Sequence, residues 1–253
     1  MKNLDLDQYR TEGVVHLPQG LSPEDLSLAE AAFSWSLANP GPVASRLYRD
    51  GMQRAVGVAE AREFSASEPG FFYQDIRNPA AFDNYYSLLM SDGVQEVLQC
   101  LFPGSVRFLG EQVFLKEGGP PTGWHQDTAD LNVRGAELAV LWMSFESLPR
   151  DQCLEVVRGS HLGPVYSSIY GAYRASPIPD VDAARDQFDI ASWACDPGDL
   201  VIFHPGCLHG GAGTPEGITR KSLALRFLGE GCTTAESQGA DEPADISGFP
   251  KVR

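Results

Sequence analysis

Apolar residues fall at helical spacing early in the chain and gather into short strand-like runs later. Leu26, Ala29, Phe33 and Leu37 recur at three- and four-residue steps, the spacing of one helix face. Ser22-Pro23-Glu24-Asp25 precedes them and Asn39-Pro40-Gly41-Pro42 follows. A capping serine, a proline at the first helical position and acids at the positive end of the dipole make a start signal. A second helix is expected after Asn78-Pro79 and a third after Ser91. In the third, Val94, Val97, Leu98 and Leu101 share a face before Pro103-Gly104. Before these helices, Gly13 to Leu17 reads as a strand, and residues 41–70 show no period and read as loop.

The pattern changes near residue 105. Val106 to Lys116 alternates only roughly, and Ala139–Phe145, Leu154–Val157, Leu200–His204 and Ser222–Leu228 are short apolar runs between Gly/Pro turns. Short, modestly spaced strands predict a mainly β protein with flanking helices, its core a sandwich or jelly roll. One domain over 1–253 is expected: a helical buttress with N-terminal strands (1–104), the β core (105–230) and a weakly ordered tail (231–253). Asp180, Asp182, Asp186 and Asp189 sit in a loop-like stretch and read as a solvated face rather than a metal site.

Composition narrows the function classes. Hydrophobic residues at 43% and charged residues at 21% suit a globular chain. The formal net charge of −15 repels phosphate, so nucleic acid and anionic membranes are poor partners. There is no long apolar run to span a bilayer and no signal-like start. Five scattered cysteines without a CxxC pair argue for a reducing, cytoplasmic setting.

Only five histidines occur: His16, His125, His161, His204 and His209. The segment Trp124-His125-Gln126-Asp127 stands out. On a strand, residues two apart share a face, which sets His125 and Asp127 side by side, ~7 Å between Cα atoms. His209, in Cys207-Leu208-His209-Gly210, is the expected third ligand. Two imidazoles and one carboxylate cover one face of an octahedral Fe(II) and leave positions open. Gly213-Thr214-Pro215-Glu216-Gly217 is turn chemistry. A hairpin centred on Thr214-Pro215 puts Arg220 opposite His209 and Ser222 on the same face. A fixed guanidinium beside an open metal suits the far carboxylate of a dicarboxylate cosubstrate.

Taken in order, Trp124-His125-Gln126-Asp127, Leu154 to His161, Pro197 to His204, Cys207-Leu208-His209-Gly210, Arg220-Lys221-Ser222 and Arg226 to Gly229 resemble the phytanoyl-CoA dioxygenase-like enzymes among the Fe(II)/2-oxoglutarate-dependent oxygenases. The resemblance covers about residues 105–230 and departs at Arg158, where the family usually has proline, and at Gly211 and Thr214. It implies a double-stranded β-helix (a cupin-like jelly roll) with His125, Asp127 and His209 on iron, and Arg220 with Ser222 on 2-oxoglutarate. It further implies Trp142 against the cosubstrate, with Thr122, Gln112 and Lys116 in reach of it. Gln126 is then either at the substrate edge or structural, and Arg226 meets a substrate carboxylate or a buried acid. His161 and His204 read as structural. The implied reaction uses Fe(II), 2-oxoglutarate and O2 to oxidise a small molecule, by hydroxylation, desaturation, cyclisation or epimerisation. Two other readings stay open: a cupin-like metal-dependent hydrolase or isomerase, and a metal-free jelly-roll binding module. Gly118–Pro121 and 164–189 are the expected lids.

Overall fold

In a computed structural model, residues 4–48, 53–55, 71–131, 133–166, 176–234 and 246–253 are described. The chain opens with α1 (Leu6–Glu12), β1 (Val14–Leu17) and α2 (Pro23–Ala38). Helix α1 has no clear apolar stripe, which is why the sequence did not announce it. Its ends are defined instead by Asp5, which accepts from Gln8 N, and by Gly13 at φ 75°. Helix α2 carries the expected cap, with Ser22 and Asp25 exchanging side-chain-to-backbone bonds.

The segment expected as loop contains strands β2 (Ser45–Tyr48) and β3 (Gln53–Ala55), followed by β4 (Phe71–Ile76). Residues 49–52 and 56–70 of it lie outside the described residues. These strands are short; β3 pairs with the nearby β2, whereas β2 and β4 have partners distant in sequence: Arg46 pairs with Tyr73, and Asp75 with Val113. Helices α3 (Ala81–Leu89) and α4 (Asp92–Leu101) follow Pro79 and Ser91 as predicted.

The β core comprises β5 (Val106–Glu117), β6 (Thr122–His125), β7 (Val133–Arg134), β8 (Leu138–Ser144), β9 (Leu154–Val157), β10 (Ile190–Ala191), β11 (Leu200–Phe203), β12 (His209–Gly211), β13 (Thr219–Gly229) and β14 (Thr233–Thr234). A short helix, α5 (Asp127–Leu131), lies between β6 and β7. The large sheet runs β1-β11-β8-β13-β5-β4-β2-β3, the small one β10-β9-β12-β6, and β14 pairs with β7. These pairings are antiparallel, and the result is a double-stranded β-helix with helices against one face of the large sheet.

The large sheet is buried on both faces, so its strands read as apolar runs rather than as alternation. On β8, Leu141 and Met143 pack with Phe33, Leu88 and Val97 in the helix-side core. Val140 and Trp142 face the small sheet with Val156, Val201 and Ala224. Strand β13 divides likewise: Leu223, Leu225 and Phe227 belong to the helix-side core. Arg220, Ser222, Ala224 and Arg226 line a cavity between the sheets.

The expectation of a weakly ordered tail is corrected for its last residues; 235–245 lie outside the described ones. Val252 is buried. Phe108 N donates to Pro250 O at 2.9 Å and Val106 N to Arg253 O at 3.0 Å. The Arg253 guanidinium donates to Phe102 O at 2.6 Å. Few apolar residues precede this contact in sequence, so composition concealed it. Among the described residues no helix is long and apolar enough to cross a membrane.

Candidate metal centre

Strand β6 ends at His125, and Asp127 begins α5. The two are therefore not on one strand face, as the spacing suggested. The chain turns between them and still leaves His125 Nε2 3.5 Å from Asp127 Oδ1. His209, the first residue of β12, pairs directly with His125 across the small sheet. Its Nε2 lies 3.7 Å from the same oxygen, and one ligand atom from each of the three falls within 4.8 Å of the others. The second ring nitrogens are engaged: His125 Nδ1 is 2.8 Å from Gly123 O and His209 Nδ1 is 2.9 Å from Cys207 O. Those bonds fix each Nδ1 as an N–H donor, so that Nε2 is the ring nitrogen left for a metal. A divalent cation suits this donor set of two neutral imidazoles and one carboxylate.

Burial would raise the Asp127 carboxyl. The Arg226 guanidinium and the two imidazoles outweigh it and hold the group well below the usual carboxylate range. Burial, followed by the neighbouring His125, pushes His209 down to about 3. Burial also acts to lower His125, but the bond to Asp127 prevails and its pKa is raised.

The ligand atoms open onto a cavity of about 520 Å³, within the usual range for small-molecule sites. Arg220, Ser222, Trp142, Thr122, Gln112 and Lys116 all line it. The hairpin register proposed for Arg220 is wrong. Strand β12 pairs with β6 and β9, whereas β13 pairs with β5 and β8, so Arg220 stands beside Lys116. The 212–218 connection crosses from one sheet to the other instead of folding back, and Arg220 reaches the cavity from the opposite wall. It is buried and donates to Ala212 O at 2.8 Å and to Gln152 O. Burial, then the charge of Arg220, lowers the Lys116 amine well below its ordinary value. That amine donates to Thr122 Oγ1 at 2.8 Å and Pro120 O at 3.2 Å.

Arg226 meets a buried acid rather than standing free for a substrate carboxylate. Its Nε and Nη2 donate to Asp127 Oδ2 at 2.9 and 2.8 Å, and Nη2 also donates to Gln112 Oε1. Gln112 therefore belongs with Arg226, not with Lys116 and Thr122. Gln126 is structural: it is buried, donates to Gly206 O at 2.7 Å and accepts from Tyr166 N at 2.8 Å. It ties loops together behind the site because its side chain leaves the chain opposite to its neighbours. His161 and His204, read as structural from the sequence, do not line the cavity, and His161 Nε2 lies 3.2 Å from Arg10 O. His204 Nδ1 accepts from Gly206 N, and its Nε2 lies 2.8 Å from Gly135 O. Of the acid run, Asp182 accepts from Trp124 Nε1 at 2.9 Å and Asp189 pairs with Arg158 at 2.9 Å. Of the expected 164–189 lid, which contains that run, 167–175 lie outside the described residues.

Sequence reasoning missed the outer wall: Val43, Ser45, Gln74, Ile76 and Arg77 line the cavity. They come from the stretch without hydrophobic period and its continuation. The Phe71–Ile76 sequence was the available signal, with Gln74 and Ile76 on one face and Tyr73 and Asp75 on the other.

A jelly roll with two histidines and a carboxylate at its cavity defines a class of metal-site architecture, and comparison with known proteins refines it. The family model for phytanoyl-CoA dioxygenase (PhyH) matches residues 9–221, and the chain belongs to that family. A Caenorhabditis elegans protein described as a probable phytanoyl-CoA dioxygenase is 30% identical over 115 residues, 42% of this chain and 36% of its own. The match thus spans about a third of that relative's length. Among solved structures, the epimerase SnoN in complex with Fe3+, alpha ketoglutarate and nogalamycin RO superposes with a TM-score of 0.69. It is 17% identical, over 98% of this chain and 97% of that one. The alpha ketoglutarate-dependent carbocyclase SnoK gives 0.68 at 18% identity over 99% and 97%. EvdO2 from Micromonospora carbonacea var. aurantiaca, complexed with 2-oxoglutarate, gives 0.61 at 17% over 97% and 95%. At these identities the likeness establishes the jelly-roll fold.

Proposed function

We propose that the chain is a non-haem Fe(II)- and 2-oxoglutarate-dependent oxygenase that oxidises a C–H bond of a small organic molecule and releases succinate and carbon dioxide. The observation that carries this reading is the convergence of His125 Nε2, Asp127 Oδ1 and His209 Nε2 on a cavity that also holds the buried Arg220 guanidinium and Lys116 amine.

His125, Asp127 and His209 would hold the iron. When bound, the metal supplies the chemistry that couples O2-dependent decarboxylation of 2-oxoglutarate to cleavage of a C–H bond. Arg220, with Ser222 and Lys116, would take the far carboxylate of 2-oxoglutarate through charge-assisted bonds. Thr122 holds the Lys116 amine in place, and Trp142 would close the apolar side. The burial of these groups excludes water and strengthens the ion pair with the cosubstrate. Two basic groups at a buried wall favour this reading over a hydrolase or isomerase using the triad alone, and over a metal-free binding module. Hydroxylation is the simplest outcome. Epimerisation and carbocycle formation, the activities named for SnoN and SnoK, follow from the same hydrogen abstraction with a different substrate pose. Five free cysteines, four of them buried, support a reducing cytoplasmic setting, and the small-molecule cavity supports a biosynthetic role.

The test is anaerobic titration of the protein with Fe(II) and 2-oxoglutarate. A visible charge-transfer band that needs both components is expected, followed by succinate release in air. No band at saturating iron and cosubstrate would overturn the proposal.

A further inference from the structure

Two thiols meet in a part of the molecule that the chemistry above does not use. Cys153 ends the connection between β8 and β9, and Cys195 lies in the connection between β10 and β11. Their sulfurs are 3.4 Å apart although 42 residues separate them in sequence. Backbone bonds build this approach: Leu148 N donates to Cys195 O at 2.8 Å, and Cys195 N to Leu148 O at 3.0 Å. Ser192 Oγ adds bonds to Leu154 O at 2.8 Å and Arg150 O at 3.0 Å. Both cysteines are buried, yet Asp151, Ala194 and Asp196 beside them are exposed, so the pair lies directly beneath the surface. A disulfide holds its sulfurs about 2.0 Å apart, so a closure of about 1.4 Å would join them.

The two thiols are unequal. The bond to Cys195, supported by the charge of Arg220, outweighs burial and holds the Cys153 thiol below its ordinary value. The same bond, with burial, pushes Cys195 up. A thiolate is the form that attacks an oxidant, and a neighbouring thiol resolves the product. The pair also touches the groups that hold Arg220. Gln152, next to Cys153, supplies a carbonyl that accepts from Arg220 Nη1. Ala212, whose carbonyl accepts from Arg220 Nη2 at 2.8 Å, donates through its own N to Cys153 O at 3.5 Å. Both acceptors of the guanidinium are therefore attached to the segment that a disulfide would pull.

We propose that Cys153 and Cys195 are a site of reversible oxidation, which hydrogen peroxide converts to a disulfide that displaces the acceptors of Arg220. The Cys153 thiolate attacks one peroxide oxygen and the O–O bond breaks, leaving a sulfenic acid on Cys153 and releasing hydroxide. The Cys195 sulfur then attacks the Cys153 sulfur, and the sulfenic oxygen leaves as water with the Cys195 proton. The hydroxide takes up the proton that Cys153 gave up. In sum, two thiols lose two electrons and two protons, and peroxide is reduced to two waters. In a reducing setting such a pair rests as thiols and closes only on exposure to the oxidant. The disulfide stands on the thiol geometry alone; its effect on the cosubstrate rests on the proposed function, which gives Arg220 to 2-oxoglutarate.

The experiment treats the metal-free full chain with hydrogen peroxide, quenches with catalase, alkylates the remaining thiols and maps the peptides by mass spectrometry. A link between Cys153 and Cys195 is expected, absent from Cys195→Ser and opened by dithiothreitol. Calorimetric titration of 2-oxoglutarate into the Zn(II)-loaded protein then compares the reduced, oxidised and re-reduced forms. The oxidised form should bind about fivefold more weakly, as for one disturbed hydrogen bond, and dithiothreitol should restore it. Cys195→Ser should show no change that dithiothreitol reverses. Peroxide-treated protein in which Cys153 and Cys195 are both still alkylated, or are linked to other cysteines, would overturn the proposal. A mapped Cys153–Cys195 link with unchanged 2-oxoglutarate affinity would overturn its connection to Arg220. Reduced, metal-loaded protein that binds no 2-oxoglutarate would count against the oxygenase reading instead, and the mapped link would stand without it.

Discussion

Arg226 grips Asp127 by a single oxygen. Its Nε and Nη2 both point at Oδ2, at 2.9 and 2.8 Å, while Oδ1 faces the two imidazoles at 3.5 and 3.7 Å. One oxygen is thus committed to the protein and the other is left for a metal. The arrangement favours attachment through Oδ1 alone and keeps the carboxyl ionised. Groups that orient ligands in this way typically alter metal affinity about 10- to 100-fold. Arg226→Leu is therefore expected to weaken Fe(II) or Zn(II) binding by at least about tenfold, measured by competition with a chromophoric chelator. Arg226→Lys, which keeps the charge and loses the fork, should recover part of it. Equal affinity in all three proteins would remove Arg226 from this role.

Arg220 is assigned a different task, and its variant should fail differently. Replacement by alanine removes a charge-assisted partner of the cosubstrate, a loss of about 2 kcal/mol, or roughly thirtyfold in 2-oxoglutarate affinity. Metal binding by the triad should stay intact, since Arg220 donates to Ala212 O and Gln152 O and not to any of the three ligands. Calorimetric titration of 2-oxoglutarate into the metal-loaded variant checks this. Cosubstrate affinity that is unchanged for Arg220→Ala but lost for Lys116→Met would transfer the role to Lys116.

The unequal legibility of the two arginines has a physical cause. The triad could be read because a strand-to-helix turn and a cross-strand pair both happen to deliver side chains to one point, and few histidines competed. The hairpin argument brought Arg220 to the right cavity by the wrong route. Turn residues in 213–217 signal a change of direction, but they do not say whether the chain returns along its own sheet or crosses to the facing one. Arg226 could be read only as far as its charge, because its partner lies 99 residues away. The jelly-roll class was legible from short apolar runs. Strands β2 and β4 were not, since they pair with each other and β4 with β5 across long stretches of sequence, and Ser45 and Gln74 face a cavity rather than solvent. Helix α1 and the docking of residues 246–253 likewise depend on caps and edges that carry little hydrophobic signal.

Glu111 gives the fold a pH dependence. It is 1% exposed, and burial pushes its carboxyl up to about 7 despite a 2.8 Å bond from Asn78 N. Between its ordinary value of 4.5 and about 7 the folded chain holds a proton that the unfolded chain has released. Stability from this group therefore falls as pH rises through that window and is flat above it, by roughly 3 kcal/mol in all. Glu111→Gln keeps the acceptor for Asn78 N and removes the charge. The variant should be more stable than the parent at pH 8, with the advantage shrinking to nothing near pH 4. Urea denaturation of both proteins across that range checks it; an advantage that grows toward low pH would contradict it.

Gly110 sits where the β5–β13 register shifts, opposite Arg226. Its φ is 147°, a conformation L side chains rarely adopt. A Cβ there would lie 2.7 Å from Arg77 Cγ and 3.3 Å from Arg77 Cα. Arg77 is itself a non-glycine residue at φ 51°, so two uncommon backbone states are in contact beside the cavity. The bulge shifts β13 relative to β5 and so sets where the Arg226 side chain leaves the strand. Gly110→Ala should destabilise the fold by about 2 kcal/mol or more and weaken metal binding through the displaced Arg226. The double variant Gly110→Ala with Arg77→Gly removes the side-chain clash and relaxes position 77, and should recover the steric part of the loss. Thermal denaturation and chelator competition on the single and double variants give the answer. A Gly110→Ala protein as stable and as metal-competent as the parent would mean that the bulge does not position Arg226.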